Sequence, residues 1–77
     1  MKLIVASDPS RPNVFVEIHE DGQPWAEVIF DDARGCYLLT VFGGPDGIGP
    51  SMDLAEASKM LEAARLELVR RGFPPPP

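Results

Sequence analysis

The sequence predicts an α+β fold: a four-stranded antiparallel β-meander followed by one C-terminal amphipathic helix packed on one sheet face, in the order ββββα. Three observations predict it. Short β-rich runs separated by turn signals fill the first half of the chain. Gly43 to Pro50 (GGPDGIGP) then ends the strand region, because glycine and proline at this density do not hold a ladder. Beyond it, apolar residues recur at helical spacing. With 77 residues there is room for one small domain, here placed over residues 1–73 with a proline tail at 74–77. A domain of this size buries only ~60% of the surface its unfolded chain exposes, so its stability margin is thin.

The elements follow in order. Lys2 to Ala6 (KLIVA) reads as a first strand, and Ser7 to Pro12 (SDPSRP) as a turn-forming loop. Asn13 to His19 (NVFVEIH) is a second strand, with β-branched residues at alternate positions. Glu20-Asp21-Gly22 supplies a tight turn whose glycine takes positive φ without steric cost. Trp25 to Phe30 (WAEVIF) is the third strand, Asp32-Ala33-Arg34-Gly35 repeats the turn chemistry, and Tyr37 to Phe42 (YLLTVF) is the fourth. Asp53 is placed as a helix N-cap, with Glu56 completing a capping box and Ser51 as the other candidate cap. The helix is expected to reach about Arg71, with Gly72 just past its end. Leu54, Ala57, Leu61, Ala64 and Leu68 fall within a stripe about 80° wide, which is a packing face.

A three-residue loop at Glu20 to Gly22 puts even-numbered residues of the second and third strands on one face. Val14, Val16, Ile18, Ala26, Val28 and Phe30 then form an uncharged apolar surface for the helix stripe. The opposite face is expected to carry Phe15, Glu17, His19, Trp25, Glu27 and Ile29, with Glu17 and Glu27 diagonal to one another. The fourth strand is left between two registers. A three-residue loop sends Leu38, Thr40 and Phe42 inward; a four-residue loop sends Tyr37, Leu39 and Val41. Leu66 and Met52 fall on the outer side of the helix. One helix covers one sheet face, so Phe15, Trp25 and Ile29 on the other need a cover. The candidates are the N-terminal strand or proline tail folding across, a second copy, or a different protein partner, with a homodimer in front.

Composition excludes several function classes. No apolar run approaches the ~20 residues of a membrane span, and none has the form of a secretory signal core. Cys36 is the one cysteine and His19 the one histidine, too few for a structural zinc site. Cys36 reads as a small buried or half-buried hydrophobe in a reducing, cytoplasmic compartment. Twelve acids against seven bases give a net charge of −5, the wrong sign for direct nucleic-acid binding.

The charge is also unevenly placed. Residues 1–50 hold eight acids (Asp8, Glu17, Glu20, Asp21, Glu27, Asp31, Asp32, Asp46) against three bases (Lys2, Arg11, Arg34), and residues 51–77 hold four of each. Such a run solvates and protects strands, or serves as a docking surface for a basic partner. Glu17, Glu27 and His19 lack a pocket that would make them a metal or acid–base site. The glycine-rich connector lacks a phosphate-loop lysine. No catalytic residue, cofactor or metal is therefore expected.

The sequence thus points to a non-enzymatic small protein-binding module, self-associating through the aromatic sheet face with Phe15 and Trp25 as anchors. The partner-binding set is Phe15, Glu17, His19, Glu20, Asp21, Trp25, Glu27, Asp31 and Asp32. The alternative is an acidic inhibitor that mimics nucleic-acid phosphate and docks on a basic, nucleic-acid-binding protein. That reading draws on Glu20, Asp21, Asp31 and Asp32 in particular.

Overall fold

A computed structural model describes residues 1–43, 47, 49 and 51–75. The strands are β1 (Lys2–Ala6), β2 (Phe15–Glu20), β3 (Gln23–Asp31) and β4 (Cys36–Val41), and the helix is α1 (Leu54–Arg70). They form one antiparallel sheet of order β1-β2-β3-β4 with α1 packed on it, the ββββα plan. Most of the glycine-rich connector (Gly44, Pro45, Asp46, Ile48, Pro50) and the end of the proline tail (Pro76, Pro77) lie outside the described residues. Among the described residues no helix is long and apolar enough to cross a membrane.

The β2–β3 connection reaches the expected faces by a different route. Its loop is two residues long, Asp21 and Gly22, with φ of 52° and 77°, and Glu20 pairs with Gln23. Two consecutive positive φ values match the twist of the flanking strands. Alone, this loop would pair odd with even residues and turn Ala26, Val28 and Phe30 away from the face of Val16 and Ile18. A one-residue bulge between Ile18 and His19 restores the parity, so that Ile18 faces Ala26 and Val16 faces Val28. The inserted residue is Trp25. It is thereby moved off the second face and joins the helix-side core with Ala26, Ala57, Ala64 and Leu68, at 6% exposure. This corrects its expected place on the open face.

At the β3–β4 turn, Asp31 pairs with Cys36 across a four-residue loop. Asp31 Oδ1 accepts the Ala33 N–H at 2.9 Å, and its carbonyl accepts the Gly35 N–H at 2.8 Å. This selects the register in which Tyr37, Leu39 and Val41 share the helix side with Phe30, Val28 and Ala26. Cys36 is exposed rather than buried or half-buried, because it opens an edge strand and faces away from the helix.

Helix α1 begins and ends as its sequence dictates. Asp53 Oδ2 accepts the Glu56 N–H at 2.9 Å. At the other end, Gly72 (φ +95°) donates to the Val69 carbonyl and Phe73 donates to that of Leu68, the paired bonds of a Schellman stop. Ala57, Ala64 and Leu68 are buried and Leu61 half-buried. Val16, Ile18 and Leu68 are the largest fully buried side chains. Leu54, the first member of the stripe, is 80% exposed. It is the first helical residue, and side chains tilt toward a helix's N-terminus, so it overhangs the sheet instead of pressing on it. Met52 packs partly against the core and not outward as expected.

Candidate functional site

The second sheet face is covered from within the chain. Phe15, Glu17, Glu27 and Ile29 share it with Ile4 and Ala6 of β1 and with Leu38 and Thr40 of β4. Phe15 is nevertheless 7% exposed and Glu27 5%. The cover is Arg11. Asp8 Oδ1 accepts the Ser10 N–H at 2.9 Å and the Ser10 hydroxyl at 2.8 Å, while Arg11 N–H donates to the Asp8 carbonyl at 2.9 Å. The loop so formed returns Arg11 across the sheet, where its guanidinium lies 4.4 Å from the Phe15 ring centroid and Nη1 donates to Glu27 Oε2. The stacking buries the ring while leaving part of the cation in water.

This arrangement corrects the expected cover. The first strand is paired within the sheet and does not cross it. Phe73, the residue before the tail, lies on the helix side, where its ring centroid is 6.2 Å from that of Phe30 and its carbonyl accepts the Tyr37 hydroxyl at 2.6 Å. Glu17 and Glu27 are directly opposite one another, not diagonal. Like charges so placed repel, which Arg11 offsets for Glu27, while His19 Nε2 stands 3.2 Å from Glu17 Oε1. Phe15 and Trp25 are parts of the monomer's interior rather than exposed anchors.

The acids are not brought together as a single surface. Glu20 and Asp21 sit at the β2–β3 tip, whereas Asp31 and Asp32 lie at the far end of β3, roughly 30 Å away at ~3.3 Å per residue. The latter pair is also occupied locally. Asp31 holds the turn and stands 3.7 Å from Arg34, and Asp32 accepts from Asn13 Nδ2 at 3.0 Å. Among the described residues no three His, Cys, Asp or Glu side chains assemble as a metal site would require.

Among the described residues, Leu66 and Val69 are exposed on α1, and the other large apolar side chains left uncovered, Leu39, Val41 and Leu54, lie along β4 and at the start of the helix. Leu39 is 51% and Val41 62% exposed. Two shallow grooves run between this strand and α1. The first is lined by Val28, Tyr37, Leu39 and Leu61, with Glu62 and Arg65 on its rim. The second is lined by Trp25, Val41, Met52, Leu54 and Ala57. Arg65 donates to both Glu62 oxygens, at 3.0 and 2.5 Å. That pairing holds the Glu62 carboxyl below the usual carboxylate range and raises Arg65. Trp25 Nε1, beneath the second groove, is buried without a hydrogen-bond partner among the described residues.

The same strand has a free backbone edge. The Phe42 N–H donates to the Trp25 carbonyl at 2.8 Å. Antiparallel alternation therefore points the N–H and C=O groups of Tyr37, Leu39 and Val41 away from β3, to the side where, among the described residues, no strand pairs. Sequence reasoning did not select these residues, because the register of the fourth strand was open. One signal was present: β4 (CYLLTV) is the one strand of the four with neither an acid nor a lysine or arginine.

No family model, curated protein or solved structure matches this chain.

Proposed function

We propose that the chain is a non-enzymatic protein-binding module whose docking surface is the free edge of β4 together with the apolar grooves between β4 and α1. One observation carries this reading: Leu39, Val41 and Leu54 stand exposed beside an unpaired strand edge. An extended segment added to such an edge gains main-chain hydrogen bonds, and the side chains beside it supply apolar contact. The largest contiguous apolar patch on a small monomer is often functional, and these three side chains are the most exposed large hydrophobics among the described residues. The groove walls are mainly aliphatic and aromatic, which favours adhesion over chemistry.

The acidic-inhibitor reading has weaker support. A phosphate mimic needs its charges on one surface, and Glu20 and Asp21 are separated from Asp31 and Asp32 by the length of β3.

The test is a photo-crosslinking amino acid placed at Val41 or, as control, at Lys59 on the exposed outer side of α1. In native cells, position 41 is expected to give discrete protein adducts and position 59 none. Absence of adducts from position 41 overturns the reading.

A further inference from the structure

We infer that the occupant of the β4 edge is a second copy of this chain, paired antiparallel through β4 about a two-fold axis at Leu39, so that two four-stranded sheets become one of eight strands. This rests on the protein-binding reading above and specifies its partner.

Charge is the first argument. Two copies each carrying −5 repel, so a stable contact has to lie where the acids are not. A two-fold axis through a strand sets the residue on it directly against its own counterpart and brings the residues flanking it close to theirs, so a charged residue there would meet its like. Lys2 marks β1, Glu17 and Glu20 mark β2, and Glu27 and Asp31 mark β3; β4 alone carries no such residue. It also lacks the devices that blunt an edge strand: no lysine, no proline and no inward-pointing charge.

Register is the second argument. Tyr37, Leu39 and Val41 present their backbone groups to the free edge. Pairing Leu39 with Leu39 of the copy also pairs Tyr37 with Val41 in both directions, and so satisfies all three outward residues. A shift of two residues either way leaves one of the three unpaired. The centred register also brings the two Leu39 side chains together on the helix side, between the two α1 helices.

Area and closure bear on the pairing as well. Specific interfaces bury about 800 Å² per partner. The exposed parts of Leu39, Val41 and Leu54 with the half-buried Tyr37 and Met52 make a smaller contact than that, so the main-chain hydrogen bonds of the added strand carry part of the association. The outer edges of the eight-stranded sheet would both be β1, each bearing Lys2, so growth stops at two copies.

The experiment is light scattering on the purified chain and on two charge variants, Leu39→Lys and Leu39→Glu, whose altered side chain is half exposed in the monomer and leaves the fold intact by circular dichroism. The unaltered chain is expected to show twice the 8.4 kDa chain mass. Each variant alone is expected to be monomeric, and a one-to-one mixture to recover the dimer mass, since opposite charges then meet at the axis. A monomer at ~1 mM unaltered protein, a dimer that persists in both single variants, or a mass that keeps rising with concentration overturns the inference. A monomer that still gives adducts to a different protein from position 41 removes the second copy and leaves the binding-module reading standing.

Discussion

The two edges of the sheet offer the helix the same thing and receive different treatment. β1 presents Leu3 and Val5 on the helix side, and both pack against the core. β4 presents Leu39 and Val41 on that side, and both stay exposed. The strands are equally apolar, so composition does not explain the difference. Width does. A helix is about 10–12 Å across with its side chains, and strands repeat every ~4.8 Å. One helix centred on β2 and β3, as α1 is, reaches one edge well and leaves the other short. Only the start of β4 gains cover, where Tyr37 meets Phe30 and the Phe73 carbonyl. In a domain with a single helix, exposure is decided by where that helix sits as much as by what the strand carries.

The sharpest way to break this comparison is to truncate one leucine on each side of it. Leu68→Ala removes a fully buried side chain from the centre of the core and is expected to cost about 2–5 kcal/mol. Leu39→Ala is expected to stay within about 0.5 kcal/mol in the monomer, because half of that side chain already meets water. Urea denaturation at low protein concentration, where association does not contribute, measures both. Equal losses would mean that β4 is as well covered as the core.

A second comparison sets the two sheet faces against each other: one lies under a 17-residue helix, the other under one arginine. Arg11→Met keeps the apolar stem over Phe15 and removes the cation from a buried carboxylate that faces Glu17. The expected loss is about 1–3 kcal/mol, reduced from that of a fully buried pair because the Arg11 side chain is partly in water. Adding Glu27→Gln to Arg11→Met is expected to recover most of it, since the unpaired charge is then gone. A double-mutant cycle by thermal denaturation reads the coupling. A coupling near zero would show that stacking on Phe15, and not the ion pair, holds this cover in place.

How far these features could be read from the residues depends on how local their causes are. The helix was legible to within a residue, because Asp53, Gly72 and the Ala57-Leu61-Ala64-Leu68 spacing act through neighbours three to five positions away. The apolar faces of β2 and β3 were also legible, although a two-residue turn and a bulge produced them where a three-residue loop was expected. Trp25 was misplaced for that reason: alternation assigns faces only while the ladder is unbroken, and a single inserted residue changes sides. Arg11 was invisible as a cover, because its position over Phe15 and Glu27 follows from the Asp8 turn and from sheet contacts sixteen residues away. The β4 surface depended on a loop length that Asp32 to Gly35 did not settle by composition. Asp31, outside that turn motif, decided it by accepting from both Ala33 and, through its carbonyl, Gly35.

The smallest expected effect separates the two covering elements by pH. Asp8 shapes the loop that carries Arg11, and Glu62 lies on the helix beside the β4 groove. Donation from the Ser10 backbone N–H and then its hydroxyl holds the Asp8 carboxyl below its ordinary value of 3.8, and donation from Arg65 holds Glu62 below 4.5. A carboxyl whose value is lowered by folding binds protons more weakly in the native state than in the unfolded chain. Its contribution is therefore complete above the ordinary value and is lost as the pH falls through the lowered one. Both groups are fully exposed, so the loss is small and sits below about pH 4.5. Urea midpoints followed from pH 7 to pH 2 are expected to fall less steeply at the acid end in Asp8→Asn and in Glu62→Gln than in the unaltered chain. Added salt should flatten the Glu62 share more than the Asp8 share, because Arg65 is a charged partner and the Ser10 donors are neutral. An acid slope unchanged by both substitutions would place the acid sensitivity in other carboxylates and leave these two as bystanders to the covers they adjoin.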